Sequence, residues 1–327
     1  MRIKCYAMFS SLMCVPMLVL SLMAVSGPVF AAATAEGKNI LPLPQKVSAH
    51  VYAWIGPHGG PSKENQGYRM NMAFVVGEKA VAVIETGYTE AMAQEMLKHI
   101  AAVTKLPVKY AINSNSQPDR FFGNEVFRKN GAQIIAHEKE AKRMAETGGD
   151  LAGAVERSLG LPGGSVKAPN PPDKMITKDM SLDLGGVKVL LRHFGAAHTP
   201  APLVAHIPAD NVVYAGDILY SGRLLAVVPG GNVKAWITTF DSLKVFGNAT
   251  FIPGHGKPAK LAAFKFSTRD YLTTLYTHMK AMVAQGVALD DAVKRLDQSK
   301  FSKLENFQEL AGRNANMAYL ESENESF

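Results

Sequence analysis

Short apolar runs rich in β-branched residues alternate with longer amphipathic stretches along most of this 327-residue chain. The positions Met92, Met96, Ile100 and Val103 recur at the spacing of one helix face, which predicts a helix that packs on a sheet. The predicted strands cover 51–55, 72–76, 80–84, 108–112, 133–136, 187–191, 203–207, 212–214 and 250–252, and the predicted helices cover 90–103, 138–147, 234–245 and 261–285. This alternation predicts an α/β fold.

The length fits one large domain or two small ones, at about 100–200 residues per domain. Apolar residues make up 47% of the chain and charged residues 19%, a balance typical of compact globular proteins. Disordered, collagen-like and coiled-coil proteins are therefore excluded. The last 40 or so residues have a helical pattern and carry no obvious chemistry of their own.

The first 33 residues have the features of a secretory signal peptide. Arg2 and Lys4 precede an apolar stretch at 13–25, and small residues at 31–33 offer a cleavage site. We therefore predict a periplasmic or secreted protein that begins near residue 33 and has no stable membrane anchor. An uncleaved anchor is the disfavoured alternative, because the apolar stretch is shorter than the roughly 20 residues that span a bilayer.

Both cysteines, Cys5 and Cys14, lie inside the predicted signal. The exported protein would have no thiol, which excludes cysteine catalysis, cysteine-bound zinc and iron–sulfur clusters. Loss of Arg2 and Lys4 would also lower the formal charge from +7 to +5. The remaining basic residues are scattered, so no nucleic-acid partner is expected.

Four groups of polar residues follow predicted strands, where α/β proteins place their functional side chains. They are VAVIETG at 81–87, INSNSQPDRFFGN at 112–124, HFGAAHTP at 193–200 with YAGD at 214–217, and PGHG at 253–256. In this order and spacing the sequence from about 47 to 255 resembles the metallo-β-lactamase superfamily. It looks closest to exported metallohydrolase-like proteins associated with sulfur-oxidation and quinoprotein systems.

The resemblance implies a four-layer αβ/βα sandwich formed by one domain, 34–327, with a helical C-terminal extension. Family members usually carry His-x-His-x-Asp-His after the strand that corresponds to 108–112, whereas this chain has Asn-Ser-Gln-Pro-Asp-Arg at 115–120. The three histidines are thus replaced by Asn115, Gln117 and Arg120. The metal-ligand positions that survive are Asp119, His198, Asp217 and His255, and we expect these four side chains to converge.

The first hypothesis is a hydrolase with a depleted metal site that acts on an unknown small molecule. One metal ion on Asp119, Asp217 and His255 would activate a water molecule, with Asp119 and His198 as the catalytic residues. His198 would act as a general base or orient the water. Zinc is the expected metal, although two carboxylates and an imidazole also suit iron or manganese.

The alternative hypothesis is a metal-free pseudoenzyme that serves as a binding or accessory protein of a periplasmic redox system. Without a metal, Asp119 and Asp217 would need another cation, because two adjacent carboxylates repel each other. Arg120 is the nearest candidate, and its direction separates the hypotheses. It should turn inward in a metal-free site and point away from a bound metal. On the Gly-rich loop, His58 either overhangs the pocket or is solvated.

Overall fold

The computed structural model describes residues 39–326, so the predicted signal peptide and both cysteines lie outside the described residues. The elements in chain order are β1 Gln45–Lys46, β2 Val51–Trp54, β3 Met72–Val76, β4 Val81–Ile84, α1 Glu90–Val103, β5 Val108–Ile112, α2 Pro118–Phe121, α3 Asn124–Lys129, β6 Gln133–His137, α4 Glu138–Leu159, β7 Lys174–Ile176, β8 Met180–Asp183, β9 Lys188–His193, β10 Leu203–Ile207, β11 Val212–Tyr220, α5 Val233–Ser242, β12 Thr250–His255, α6 Tyr271–Ala284, α7 Leu289–Arg295 and α8 Phe307–Asn324. No helix within 39–326 is long and apolar enough to cross a membrane.

The strands form two mixed sheets. The first has seven strands in the order β1 to β7, antiparallel from β1 to β4 and parallel from β4 to β7. The second has five strands in the order β12-β11-β10-β9-β8, of which only β11 and β12 pair in parallel. The parallel pairs in both sheets place the carboxyl ends of their strands next to loops that carry the polar motifs.

Alternation along the strands divides the core into layers. In β4, Ala82 and Ile84 pack between the two sheets, while Val81 and Val83 pack on the other face with α1. In β11, Val213 lies in a third cluster with residues of α5, α6 and α8. Because side chains of a strand alternate between faces, each sheet buries both of its surfaces. The result is helix, sheet, sheet, helix, which confirms the αβ/βα sandwich.

Helix α1 has the predicted bounds. Thr89 caps it by accepting a hydrogen bond from the backbone N–H of Met92, and Met92, Met96 and Ile100 are buried as predicted. Val103 differs, since 39% of it is exposed at the end of the helix. Helix α4 continues twelve residues beyond the predicted end at 147, because Val155 and Leu159 extend its buried face.

Several predicted boundaries were wrong. Strands β1, β7 and β8 were missed because they are short and largely exposed edge strands, which lack a buried apolar pattern. The helix predicted to begin at 261 becomes α-helical only at Tyr271. Before it, the side chains of Ser267 and Thr268 donate to the carbonyl oxygen of Tyr220. The backbone there is fixed by contacts with β11 that helix periodicity does not reveal.

Candidate functional site

Segments from both sheets bring the four surviving positions to one edge of the sandwich. Asp217 lies in β11, and His255 ends the parallel neighbour β12. Asp119 lies in α2, which follows β5, and His198 lies in the loop between β9 and β10. The ring of Tyr220 stands 6.1 Å from His198 and 5.0 Å from His255, centroid to centroid. All four side chains are buried.

The predicted strand at 212–214 would place Asp217 after the end of the strand, and this prediction was wrong. Strand β11 continues through Asp217 to Tyr220, with register shifts at Gly216 that reorient the backbone. The neighbouring Gly254 makes room for the carboxylate, since a Cβ atom there would lie 2.1 Å from Asp217 Oδ1. The Pro-Gly-His-Gly motif therefore has a packing role as well as supplying His255.

Arg120 points into the site and is fully buried. Its Nε and Nη2 donate to Asp217 Oδ2 and Oδ1 at 3.0 and 2.6 Å, and its Nη1 donates to the carbonyl oxygen of Asn71 at 3.1 Å. Its Nε also lies 3.5 Å from Asp119 Oδ1. Although burial opposes charge, the two carboxylates hold the pKa of Arg120 well above its ordinary value. The guanidinium thus forms an ion pair with Asp217 and lies beside Asp119.

Two further side chains, Asn115 and Arg69, donate hydrogen bonds to these carboxylates. Asn115 Nδ2 donates to Asp217 Oδ2 at 2.8 Å, and Asn115 Oδ1 accepts the backbone N–H of Gln117 at 2.9 Å. Arg69 Nε donates to Asp119 Oδ2 at 3.3 Å. Burial disfavours the charged form of Asp217, but Arg120 holds the pKa of this carboxyl well below its ordinary value. The half-buried Gln117 joins the network through its backbone.

Both histidines are held through Nδ1 by backbone carbonyl oxygens. His198 Nδ1 donates to Ala226 and His255 Nδ1 to Arg69, each at 2.9 Å. Burial lowers the pKa of His198 and lowers that of His255 well below its ordinary value, so both rings are neutral near pH 7. A neutral ring that donates through Nδ1 keeps a lone pair on Nε2. The Nε2 of His255 lies 3.6 Å from Asp217 Oδ1.

Asn71 is a structural centre of the site that sequence reasoning missed. Its Nδ2 donates to the carbonyl oxygens of Pro253 and Gly256, and its Oδ1 accepts the backbone N–H of Gly56. Its own carbonyl oxygen accepts from Arg120 and from the Tyr214 hydroxyl. The residue lies one position before β3, and its polarity between Met70 and Met72 was the available signal.

Glu85 occupies the motif position where the family usually has aspartate. It is fully buried with a left-handed backbone (φ 67°), and its Oε2 accepts the backbone N–H of Ser114 at 3.1 Å. Its Oε1 makes no hydrogen bond with the described residues. Burial raises the pKa of Glu85 to about 8, although Arg120 opposes this shift. The carboxyl is therefore mostly protonated at neutral pH.

Arg223 is a further buried cation beside the site that sequence reasoning did not single out. It is 4% exposed, and its Nε donates to the carbonyl oxygen of Leu224 at 3.3 Å. Its Nη1 is buried without a hydrogen-bond partner among residues 39–326. Burial and the positive charge of Arg69 lower the pKa of Arg223. A charged residue between a glycine and two leucines was the signal in the sequence.

A cavity of about 580 Å³ adjoins the site, and its lining includes Gly256, the residue after His255. Its walls also include Gly56, which like Gly256 is hydrogen-bonded to the side chain of Asn71, and Gly222, which lies against the ring of His58. His58 lines the same cavity and lies 3.3 Å from Glu305, so this loop histidine does overhang a pocket.

The sequence profile of the metallo-β-lactamase superfamily matches residues 67–255, more than half of the chain. The chain belongs to this superfamily. The match runs from the residues before β3 to His255, so it spans all four predicted ligand positions, and helices α6, α7 and α8 lie beyond it.

Solved metallo-β-lactamases share the fold at low identity. The metallo-β-lactamase from Pontibacter korlensis is 18% identical over 70% of this chain and 98% of its own, with a TM-score of 0.58. Metallo-β-lactamase IND-7 is 19% identical over 70% and 97%, with a TM-score of 0.56. The DIM-1 metallo-β-lactamase is 16% identical over 72% and 98%, with a TM-score of 0.56. These likenesses support the architecture.

Metallo-β-lactamase superfamily proteins generally bind zinc, and the side chains present here do not fit such an ion. Catalytic zinc takes about three N or O ligands whose lone pairs are free to coordinate it. Here the oxygens of Asp217 and Asp119 accept from Arg120, Asn115 and Arg69. Within residues 39–326, no three His, Cys, Asp or Glu side chains are grouped to hold a metal.

Proposed function

We propose that this chain is an exported member of the superfamily that works without a metal, as a small-molecule-binding or accessory protein of a periplasmic redox system. The observation that carries the proposal is the inward direction of Arg120. Its bidentate pair with Asp217 supplies the positive charge that a metal supplies elsewhere in the superfamily.

The electrostatics of the site support this function over metal-dependent hydrolysis. An arginine side chain stays protonated at any physiological pH, so Arg120 cannot yield its charge to make room for a metal. A divalent ion on Asp217 would lie within a few ångströms of a fixed positive charge in a buried site. That repulsion is only weakly screened, because little water separates the charges.

A one-metal hydrolase is the second candidate, and one distance favours it. His255 Nε2 lies 3.6 Å from Asp217 Oδ1, close enough for the two atoms to share an ion. For that to happen Arg120 would have to leave Asp217 and turn outward. Asp119, Asp217 and His255 would then be the ligands, with His198 near the bound water.

Export and the periplasmic setting rest on the signal features of residues 1–33 and on the resemblance to exported proteins of redox systems. The class of ligand is a small molecule, because the site adjoins a cavity rather than a broad basic surface. Mass spectrometry of the exported form tests this part of the proposal, with a mature N-terminus near residue 33 expected. An intact Met1 would contradict it.

Elemental analysis of the mature protein, purified without chelators, tests the metal-free function. We expect far less than one zinc, iron or manganese ion per chain, and no saturable zinc binding in calorimetry. The triple variant Asn115→His, Gln117→His, Arg120→His is the positive comparison. It restores the missing ligands, so it should bind zinc if the backbone after β5 keeps the superfamily geometry.

One equivalent of metal in the wild-type protein, lost in Asp217→Asn, would replace the proposed function by the one-metal hydrolase. His198→Ala separates the two further. In the hydrolase the variant should keep its one equivalent of metal and lose turnover, whereas the metal-free protein has neither an equivalent of metal nor a metal-dependent turnover to lose.

A further inference from the structure

Two histidine rings, one from each sheet, are in contact. His137 is the last residue of β6 in the first sheet, and His193 is the last residue of β9 in the second. Their ring centroids are 4.7 Å apart, and the ring planes are tilted by 45°. His137 is 4% exposed, and His193 is partly buried. Neither histidine is one of the four candidate metal ligands, so the pair is a separate feature of the fold.

The hydrogen bonds of the two rings fix where their protons lie. Nδ1 of His137 accepts the backbone N–H of Lys139 at 3.2 Å and thereby caps the N-terminus of α4, so this nitrogen carries no proton. Nδ1 of His193 lies 3.2 Å from the carbonyl oxygen of Pro202. Because a carbonyl oxygen can only accept, this nitrogen carries a proton. His137 is therefore neutral in this arrangement, whereas His193 can take up a second proton and keep its bond.

The surroundings of His137 disfavour a positive charge on its ring. Burial and then the charge of His193 lower the pKa of His137. Lys139 adds to this shift, and Glu138 opposes it. The charged and titratable groups at this end of the elements packed against the ring are Glu138, Lys139 and Glu140 on α4, Lys174 on β7, and Arg192 and His193 on β9. The cap therefore stabilises the protein fully above the ordinary histidine pKa of about 6.5, and its contribution is lost as the pH falls through the lower pKa of the folded state.

Helix α4 holds two loops of the candidate site through its first turn. Glu140, the third residue of the helix, accepts the backbone N–H of Ser116 at 2.9 Å and that of Ala201 at 2.6 Å. These two residues lie in the loop after β5, which carries Asn115, and in the loop before β10, which carries His198. The capping bond and these two bonds belong to the same helical turn. Loss of the cap therefore weakens the hold on both loops.

We propose that His137 and His193 form an acid-sensitive latch on the candidate site. When His137 gains a proton, its Nδ1 becomes a donor that faces the N–H of Lys139, and its ring repels a protonated His193. The first turn of α4 then loses its cap, and the two loops become mobile, which changes how the site binds a small molecule. The latch is closed at neutral pH and opens in acid. As regulation of a binding site, this inference rests on the proposed function, although the latch itself involves no ligand or metal.

Amide hydrogen exchange of the full mature protein, followed by NMR at pH values from 7.5 to 4.5, tests the latch. Protection factors remove the intrinsic pH dependence of exchange, and in the wild type they should fall about tenfold at Lys139, Ser116 and Ala201. His137→Asn is the deciding variant, because an asparagine N-cap accepts the same N–H but cannot gain a proton. The fall at these three amides should be absent from this variant.

Two further variants separate the latch from a general effect of acid. His193→Gln removes the repelling ring, so the fall in protection at Lys139 should move to a higher pH than in the wild type. His278→Asn is the matched control, because Nε2 of His278 bonds the carbonyl oxygen of Ala292, to which a charged imidazole also donates. This variant should keep the wild-type pH dependence.

Protection at Ser116 and Ala201 that does not change with pH, or that falls equally in His137→Asn, would overturn this inference and leave the metal-free function intact. If His137→Asn does not fold, His193→Gln still decides the question, since an unmoved midpoint would mean that the two rings are not coupled. One equivalent of metal in the wild type would contradict the proposed function, whatever the protection factors show.

Discussion

One guanidinium group determines the electrostatics of the candidate site. Arg120 pairs with Asp217 through two nitrogens and lies beside Asp119, and all three side chains are buried. Arg120→Ala would leave the buried carboxylate of Asp217 without its ion pair, while Asp119 keeps Arg69, so we expect a loss of about 3–5 kcal/mol in the free energy of unfolding. Urea denaturation at neutral pH measures it.

The control for this prediction is Arg269→Ala, because Arg269 forms a similar two-nitrogen pair with Asp241 at the surface. Exposed pairs contribute about 0–1 kcal/mol, so this variant should stay close to the wild type. The double variant Arg120→Ala, Asp217→Ala should lose less than the sum of the single variants. Strict additivity, or a small loss in Arg120→Ala, would show that the pair is not coupled as the geometry indicates.

Glu85 predicts a pH dependence of stability. Burial raises its pKa in the folded protein to about 8 from an ordinary value of 4.5. Its contribution to stability is therefore greatest below pH 4.5 and is lost as the pH rises towards 8. The amide side chain of the variant Glu85→Gln cannot ionise. The free energy of unfolding of this variant should therefore rise relative to that of the wild type between pH 4.5 and 8, by roughly 3–5 kcal/mol in total.

Chemical denaturation at pH values from 4 to 9 measures the difference between Glu85→Gln and the wild type. Glu78→Gln is the control, because Glu78 is exposed on the turn before β4, the strand that Glu85 follows. Its difference from the wild type should not change with pH. A constant difference between Glu85→Gln and the wild type at every pH would mean that the Glu85 carboxyl ionises normally in the folded protein.

Helix α4 fixes the two loops that carry the site. Glu140, fully buried near its N-terminus, accepts the backbone N–H of Ser116 at 2.9 Å and that of Ala201 at 2.6 Å. Glu140→Gln leaves one of these N–H groups facing an amide NH₂, so it should cost about 1–3 kcal/mol. It should also accelerate amide hydrogen exchange at Ser116 or Ala201.

Glu138→Gln, exposed on the same helix, should change neither the stability nor the exchange rates. Unchanged exchange at both Ser116 and Ala201 in Glu140→Gln would show that other contacts hold the two loops.

The elements that sequence could predict are those with a buried face. Strands β3, β5 and β10 and helix α1 have the predicted bounds, because their apolar residues follow the period of the element. The site was predictable only as a set of positions after strands. Neither the direction of the Arg120 side chain nor the positions of Arg69 and Arg223 beside the site follow from a local sequence pattern. Each depends on contacts between residues far apart in sequence.

The whole molecule includes the C-terminal helices in its core, although the superfamily match ends at His255. In α8, Asn314 accepts the backbone N–H of Val227 and donates to the carbonyl oxygen of Leu225. Ala226, which lies between Leu225 and Val227, accepts a hydrogen bond from His198 Nδ1 through its carbonyl oxygen. The extension therefore supports the site through one short segment.

Deletion of 303–327 should abolish cooperative thermal unfolding, because it exposes the core residues Leu275 and Met279 of α6 and removes the α8 residues that cover them. Circular dichroism melting measures this. Asn314→Ala is the milder test and should lower the free energy of unfolding by about 1–3 kcal/mol through the unpaired backbone groups. A truncated protein that melts like the full chain would contradict the role assigned to α8.

The Arg120–Asp217 pair has a consequence for how the protein matures. A cation taken from solution stabilises a fold by an amount that depends on its free concentration. A cation on a side chain is present in every copy as soon as the chain is synthesised. Under the proposed metal-free function, the folded state therefore requires no loading step, does not respond to chelators at this position, and is equally complete in surroundings that are rich or poor in transition metals.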